Sequence, residues 1–499
     1  MQKITIEPDA KKTYDKLKTD RQPYIDRAIN CAKVTIPALF PKDNTTGNDK
    51  FETPYQSVGA RGVNNLTSKL QLALFPPNAK FFRLGIDDKA LQSVGLDPTK
   101  QAELDQALMQ IEDRITRWIE ENQVRATINE GLLHLIVAGN CLLFFPPDKG
   151  GVRLYNLKNY VVLRDAVGNI LQIVTVDKVA RMALPDELLS VAEEGSPEST
   201  VEVYTKVVRN GDEWVAFQEL NGNIIQGSEQ HYPVDKMPYI PLRMSKQDGE
   251  SYGRSFVEEY YGDLNSLTEL SKALAFVSMI ASKIIYLVNP NGVTRPKKLQ
   301  DAKSGDFVAG RKDDVVALQL DKYPDINIAY QQQTAIEQRL AFAFLLSSAV
   351  QRNAERVTAE EIRTVAQELE GTLGGIYSLL SQELQLPLIK IVMNKLMREG
   401  SIAQLPDGVV EPTITTGMEA LGRGQDFNKY TTFLGTIAQL PDALTYLNTQ
   451  TAIIAVATSL GINTDGLVKT QEEIQAEQQQ MMENQLGMQA MEGAMNNNG

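Results

Sequence analysis

The chain has 499 residues, a length that suits roughly two to four domains, with 42% hydrophobic and 23% charged residues and a formal net charge of -13. That acidic balance argues against a surface coated in phosphate-binding lysine, the mark of a protein that grips DNA statically. Many soluble proteins are acidic, so the charge selects no function by itself. The two cysteines, Cys31 and Cys141, are too few and too far apart for a disulfide framework or a zinc knuckle. The first residues lack the apolar core of a signal peptide. The longest apolar runs, Leu132 to Phe145 and Leu274 to Val288, fall short of the roughly 20 residues that span a bilayer. A soluble chain made in a cytoplasm is expected.

Taken in order, the chain opens on a helix from about Thr13 to Val34, with Tyr14, Leu17, Tyr24, Ala28 and Cys31 on its apolar side and Pro37 and Pro41 beyond it. A second helix spans about Gln56 to Leu74 and stops at Phe75-Pro76-Pro77. Two more cover about Lys100 to Asn122 and Ala126 to Ala138. From Leu142 the character changes. Short β-rich runs at 152–155, 160–163, 170–174, 201–208, 213–220 and 223–225 are separated by turns such as Asn210-Gly211, which predicts a strand-rich block.

The stretch from about 255 to 386 organises the rest. Leu267, Leu270, Leu274, Val277, Ala281 and Ile284 recur in steps of three and four, which predicts a long helix packed along a seam. Asn289-Pro290-Asn291-Gly292 ends it. An insert follows with strand-like runs at Asp306–Ala309 and Val315–Leu318, ending near Tyr323-Pro324. Helix returns at about Gln331 with Ile336, Leu340 and Phe344 apolar. Next comes a polar loop, Val350 to Val357, carrying Arg352 and Arg356. Thr358 and Glu361 then form a capping box that opens a longer helix. Its apolar face runs through Ile362, Val365, Leu369, Leu373, Ile376, Leu380 and Leu384 to Pro387. Beyond Pro412 the chain is glycine-punctuated, then helical to about Leu460. Residues 471–499 are rich in Gln, Met, Glu and Asn and lack Lys and Arg, and the end is expected to be disordered.

Signals of catalysis are weak by comparison. Gly249-Glu250-Ser251-Tyr252-Gly253 fits the nucleophile-elbow pattern, but that fold places its histidine after the serine, and both His134 and His231 come before it. A glycine-rich turn before a helix is the better reading. No phosphate-binding loop of the G-x-x-x-x-G-K-[ST] kind occurs, which excludes a nucleotide-driven motor of that class. Glu360, Glu361, Glu368 and Glu370 read as the polar side of an amphipathic helix rather than as metal ligands. Gly371, Gly374 and Gly375 in the same helix each cost about 1 kcal/mol against alanine, tolerable where a neighbouring backbone comes close or the helix bends.

Three blocks then carry a family resemblance. They are Glu355-Arg356-Val357-Thr358-Ala359-Glu360-Glu361-Ile362-Arg363, then Gly374-Gly375-Ile376-Tyr377-Ser378-Leu379-Leu380, then Gln382-Glu383-Leu384-Gln385-Leu386-Pro387-Leu388. Together with Ser251-Tyr252-Gly253-Arg254-Ser255, Asp263-Leu264-Asn265-Ser266-Leu267 and the run from Thr53 to Leu66, they resemble the head-to-tail connector (portal) proteins of short-tailed, T7-like bacteriophages. The resemblance runs from about Tyr14 to Asp426 and rests on the ordered series of blocks.

It implies a mainly α chain with a strand-rich wing and clip (α+β). The wing would be residues 1–254, with a first stem helix at 255–283, a clip at 284–330 and a second stem helix at 331–349. The tunnel loop would be 350–358, the long wing helix and return segment 359–425, and the crown with its acidic tail 426–499. It implies a dodecameric ring at the unique capsid vertex, in the virion and in the host cytoplasm during assembly. Double-stranded DNA would pass through, and the ring would nucleate procapsid assembly. The implied partners are the terminase large subunit, scaffolding protein, major capsid protein, tail adaptor and nozzle, and internal core proteins. No enzymatic activity, cofactor, metal or membrane insertion is implied.

Arg352 and Arg356, with Asn353, are the candidate DNA contacts, since guanidinium groups make paired hydrogen bonds to phosphate. Pairing of the arginines with Glu355 or Glu360 of a neighbouring copy is the other reading, and a ring allows both. In the insert, Arg295, Lys297, Lys298, Lys303, Arg311 and Lys312 concentrate positive charge; they face departing DNA or an acidic partner, or are simply solvated. A tail adaptor or internal core protein is the competing structural reading, and a hydrolase using Ser251 the competing enzymatic one.

Overall fold

A computed structural model of the chain describes residues 7–42, 48–77, 80–86, 98–147, 150–184, 195–281, 285–318, 323–346, 359–373, 375–405, 410–414 and 432–439, with a few isolated positions besides. The Thr358–Glu361 capping box as a complete feature, and the tail at 471–499, lie outside the described residues. The chain divides into two units, one of residues 1–79 with 115–401 and one of residues 80–114 with 402–499.

In the larger unit, helix α1 (Ala10–Lys33) begins three residues ahead of the expected Thr13. Ala10, Tyr14 and Leu17 share one face at helical spacing and close a core cluster with Val161, Val174, Tyr204 and Phe217. One turn further on, buried Arg21 donates to the carbonyls of Lys158 and Tyr160 at 2.9 and 2.7 Å, so this interior cation is solvated by main-chain oxygens. Helix α2 (Val58–Leu74) buries Val63, Leu66, Leu70 and Leu74. Its C-terminal carbonyls, which no helix can satisfy internally, are taken up by side chains from elsewhere. The Tyr377 hydroxyl donates to Ala73 O at 3.1 Å, the Gln385 amide to Leu74 O, and Arg125 to the oxygens of Phe75 and Pro76. Helix α3 (Pro98–Glu121), whose residues up to Arg114 belong to the smaller unit, and α4 (Val124–Ala138) follow close to their expected bounds.

Gly139 ends α4 at φ 76°, and a Cβ there would lie 2.7 Å from the backbone of Arg254 and Ser255. Only glycine fits, and it splits the apolar run 132–145 into a helix and a strand. Nine strands of this unit follow: β1 (Asn140–Phe144), β2 (Arg153–Asn156), β3 (Tyr160–Arg164), β4 (Ile170–Ala180), β5 (Thr200–Asn210), β6 (Glu213–Leu220), β7 (Asn223–Ile224), β8 (Gln230–Pro233) and β9 (Tyr239–Arg243). They form a three-stranded sheet in the order β9-β1-β2 and an antiparallel six-stranded sheet, β3-β4-β5-β6-β7 with β8 against β6. The strand-rich block is therefore present. β1, β8 and β9 are strands that sequence pattern did not mark.

The long helix expected from 255 is in two pieces, α5 (Phe256–Glu259) and α6 (Tyr261–Ala281). The apolar run to Val288 ends as a strand, β10 (Ile285–Val288), paired antiparallel with β11 (Val315–Leu318), with helix α7 (Pro296–Gln300) between them. Asp306–Ala309 is not a strand, and Phe307 is fully exposed. Helix α8 (Tyr323–Ala343) starts eight residues before Gln331, because Pro324 sits in its first turn, where a missing N–H costs nothing. α6 and α8 lie antiparallel, tied by Arg339 to Asp263 at 2.9 Å and by Gln333 to Ser271 at 3.1 Å.

The longer helix expected after Thr358 is instead α9 (Ala359–Leu373), α10 (Ile376–Leu380), a π turn at Ser381–Gln385 and α11 (Leu386–Arg398). Gly375 marks the interruption. The helix runs on through Pro387, whose ring would clash with the Glu383 carbonyl in regular α geometry; the widened π turn relieves that clash.

In the smaller unit, Phe82–Ile86 pairs antiparallel with Val410–Ile414, Phe82 opposite Ile414. Buried Glu112 accepts from the Leu84 amide at 2.9 Å and from Lys80 at 3.2 Å.

Candidate nucleic-acid interface

The basic insert is built around a buried carboxylate. Asp314, just before β11, accepts from the amides of Val293 and Thr294, both at 3.0 Å, and from the Thr294 hydroxyl at 2.8 Å. The Thr294 hydroxyl in turn accepts from the Arg311 amide at 2.8 Å. The Thr294 hydroxyl first, and then these amides, hold the Asp314 carboxyl below the usual carboxylate range. Two glycines leave room for the knot. A Cβ on Gly292 would lie 2.6 Å from the Asp314 carboxyl carbon, and one on Gly310 would lie 2.4 Å from the Thr294 oxygen.

No sequence pattern marks this Thr294–Asp314 knot, whose members lie 20 positions apart. It pins the segment that carries Arg295, Lys297, Lys298, Arg311 and Lys312. All five are exposed, as is Lys303, and none makes an ion pair among the described residues. Between 289 and 314 these six cations face four carboxylates, so the insert is positive in an acidic chain.

Arg352, Asn353 and Arg356 lie outside the described residues; the structure describes the chain on either side of the segment that bears them, up to Leu346 and from Ala359. The leading end is the C-terminus of α8. Leu346 N donates to Ala341 O at 2.8 Å and Leu345 N to Phe342 O at 3.1 Å, a Schellman pattern with Leu345 at φ 56°, where glycine is usual. A left-handed residue costs roughly 1–2 kcal/mol, whereas burying a leucine side chain yields about 1.5–3 kcal/mol. Leu345 is 5% exposed, so burial outweighs the backbone cost and no glycine marks the helix end in the sequence.

Helix α2 grips this end. Gly62 lets Phe344 pack against the helix: a Cβ there would lie 2.6 Å from the ring. One turn on, the Asn65 amide donates to the carbonyls of Phe344 and Leu345 at 3.0 and 2.9 Å. Another turn on, Lys69 donates to Leu345 O at 3.2 Å and pairs with Glu368 of α9, beyond the segment, at 2.8 Å. Gly62, Asn65 and Lys69 therefore share one face.

The serine of the apparent nucleophile elbow has a structural role. The Ser251 hydroxyl accepts from the Arg164 amide at 3.3 Å, its carbonyl accepts from the Arg164 guanidinium, and the Tyr252 hydroxyl accepts from the Val162 amide at 3.1 Å. The Gly253 amide donates to Asn140 at 2.7 Å, and the Asn140 amide donates back to Gly253 O at 2.8 Å. The segment thus stitches the start of α5 to β3 and β1. Its expected place as a turn before a helix is what the structure has. Near it, buried Arg243 pairs with Glu383 of the π turn at 2.7 Å. Burial first, and then Arg243, lower the Arg164 guanidinium to about 10.

One surface is unusual. The expected α6 seam is described as far as Val277: Leu267 is buried and Leu270, Leu274 and Val277 are half-buried, while the Ala281 side chain and Ile284 lie outside the described residues. A second apolar face, Phe276, Met279 and Ile280, is exposed at 58%, 52% and 41%. On the β10–β11 ribbon Tyr286, Leu287 and Val316 are exposed as well. A helix apolar on two sides ordinarily has neighbours on both. Among the described residues no helix is long and apolar enough to cross a membrane, and no group of three or more acidic, His or Cys side chains is placed to hold a metal.

Residues 7–468 match the family of bacteriophage head to tail connecting proteins. The chain is 47% identical to the portal protein of Escherichia phage T7, covering 97% of this chain and 92% of that one. It is 48% identical to the portal protein of Enterobacteria phage T3, covering 94% and 90% respectively. Among solved structures it is similar to the neck of an empty gene transfer agent particle, at 12% identity and a TM-score of 0.38 over 82% of this chain and 90% of that one, too slight a likeness to build on. At such identity to the T7 and T3 proteins over nearly its whole length, this chain belongs to the bacteriophage head to tail connecting proteins, the portal proteins of T7-like phages.

Proposed function

We propose that copies of this chain assemble side by side into a dodecameric ring at one vertex of a phage capsid, a conduit through which double-stranded DNA enters during packaging and leaves at ejection. The observation that carries the reading, beside family membership, is the exposed second apolar face of α6, with the exposed apolar residues of the β10–β11 ribbon beside it in sequence. A ring gives that face a cover on every copy, because a repeated head-to-tail contact closes on itself. The ring is a structural element at the portal vertex of the virion, assembled in the host cytoplasm with scaffolding protein as its nucleating partner and the major capsid protein around it. It performs no catalysis, and the terminase large subunit supplies the work of packaging. After packaging, the tail adaptor and nozzle dock on the same ring, with internal core proteins on the other side.

Within the channel, Arg352 and Arg356, with Asn353, contact passing phosphates. The acidic remainder of the chain favours sliding, since each phosphate neutralised by a cation strengthens binding and slows release. The exposed cations at 295–312 lie on the projecting clip, where they meet departing DNA or an acidic partner surface. The test is an Arg352→Ala, Arg356→Ala double variant supplied to a phage lacking its own copy. Rings and heads are expected to form at normal levels with fewer DNA-filled heads. Filled heads at the parental level would overturn the assignment of the loop.

A further inference from the structure

We infer that the exposed apolar face of α6 on one copy packs against the outer face of α8 on the next, with Phe276 against Ile328 and Phe342 over Gly262. This rests on the ring reading above and adds to it the surface that covers α6.

Each of the two helices carries a second seam. On α8 the buried seam runs through Ile336, Leu340 and Phe344, and the other runs through Ile328, Gln331, Ala335, Gln338 and Phe342. These five are all exposed and uncharged, and they recur in steps of three and four, the spacing of a helix that lies along another helix. Ile328 is 63% exposed and Phe342 74%. On α6 the exposed residues Gly262, Asn265, Glu269, Lys272, Phe276 and Met279 recur in the same steps.

Contacts within the pair fix where these seams point. Ser271 and Asp263 of α6 meet Gln333 and Arg339 of α8. At about 100° per residue, the exposed seam of α6 lies about 170° round from that side, and the seam of α8 about 120° round from it. The seams therefore sit on different flanks of the pair, and a copy cannot cover its own α6 with its own α8. A face and its complement on different flanks of one chain make a heterologous contact, which repeats and closes into a ring.

The same two contacts set the heights. Phe276 is level with Ile328, Asn265 with Gln338, and Gly262 with Phe342. Copies related by rotation about an axis along the pair keep those levels. The contact then sets apolar against apolar, amide against amide, and a bulky ring over a residue with no side chain. A Cβ on Gly262 would meet nothing within 4 Å, and glycine weakens a helix, so no described neighbour in the copy itself calls for glycine there. The Phe342 ring of the next copy does.

The experiment mixes two variants, Phe276→Glu and Ile328→Lys. Alone, each sets a charge against an apolar side chain at every contact. Ring yield, read by light scattering after size-exclusion chromatography and by electron microscopy, should fall about tenfold or more. In an equal mixture the two chains can alternate around a ring of even number, so that every contact is either Glu against Lys or parental. Ring yield should then return to within about twofold of the parent. Both side chains are more than half exposed in a single copy, so the unassembled variants should melt like the parent. Gly262→Leu is the second test. Unassembled, it should melt at or above the parent, because leucine is the better helix former, while its rings fall as the charged variants' do.

An equal mixture that assembles no better than its components, while each melts like the parent, would overturn the pairing. So would parental ring yield from Gly262→Leu or from either charged variant alone. In those cases rings in the parent leave the ring reading standing. A parent chain that forms no rings overturns the ring reading, and the pairing with it.

Discussion

Replacing Gly62 with alanine sets two opposed effects against each other. Alanine in place of glycine inside a helix gains about 1 kcal/mol of propensity. Against that, the added carbon would sit 2.6 Å from Phe344 Cγ and 2.8 Å from its Cβ and Cδ1, closer than real contacts allow. Phe344 has little freedom to yield. It is fully buried, packed edge-on against Phe256 with ring centres 5.4 Å apart and tilted against Tyr260 at 5.8 Å, and its carbonyl is held by Asn65. Forcing extra volume into such a site typically costs about 1–3 kcal/mol.

With no slack at Phe344 the upper part of that range applies, so the net effect is a loss of about 1–2 kcal/mol. Gly371, in α9, is the internal control, since a Cβ there meets nothing within 4 Å. Gly371→Ala should therefore keep the propensity gain of about 1 kcal/mol. Thermal melting of the purified variants, followed by circular dichroism, should show Gly62→Ala below the parent and Gly371→Ala at or above it. A Gly62→Ala protein that melts at or above the parent would refute the argument that Phe344 is pinned against α2.

Two other predictions concern buried charge. Burial holds the His134 imidazole down at about 4, against an ordinary value of 6.5. Below pH 6.5 the unfolded chain takes up a proton that the folded chain refuses, so stability falls with pH, by about 2 kcal/mol between pH 7 and pH 5. A His134→Gln variant should show a shallower decline over that window, and parallel curves would refute the assignment. Glu383→Gln removes the partner of Arg243, which is 3% exposed, and leaves the repulsion between its buried guanidinium and that of half-buried Arg164 unopposed by that carboxylate. A loss of about 3 kcal/mol in unfolding experiments is expected, and an unchanged unfolding midpoint would show that water already screens the pair.

Helices with one clear apolar stripe, such as α1 and α2, were legible in the sequence because burial on one face dictates the three-and-four spacing. Strand β9 was not. Its Tyr-Ile-Pro-Leu-Arg run is buried at every position, so it has no alternation to read, and Pro241 argues against a strand until its place at a sheet edge, opposite Leu142, is seen. β10 was hidden because it prolongs the apolar run of α6 with no breaker until Asn289. The early start of α8 was misread for the opposite reason: Pro324 is a stop signal inside a helix and a start signal in its first turn.

The candidate site divides in the same way. The basic residues of the insert and the two loop arginines stood out by composition. The Thr294–Asp314 knot and the Asn65 and Lys69 contacts did not, because each joins positions that only the fold brings together, up to 299 residues apart. Leu345 was the least legible of all, since its burial replaces the glycine that would have marked the turn.

The most direct test of the central claim is electron microscopy of the purified, assembled protein, with class averages viewed down the symmetry axis and a map detailed enough to trace α6 and the β10–β11 ribbon. The account predicts a dodecameric ring with an open channel wide enough for a DNA duplex, with Phe276, Met279, Ile280, Tyr286 and Val316 covered by the neighbouring copy. A closed particle without a channel, or a ring that leaves those residues facing solvent, would contradict it.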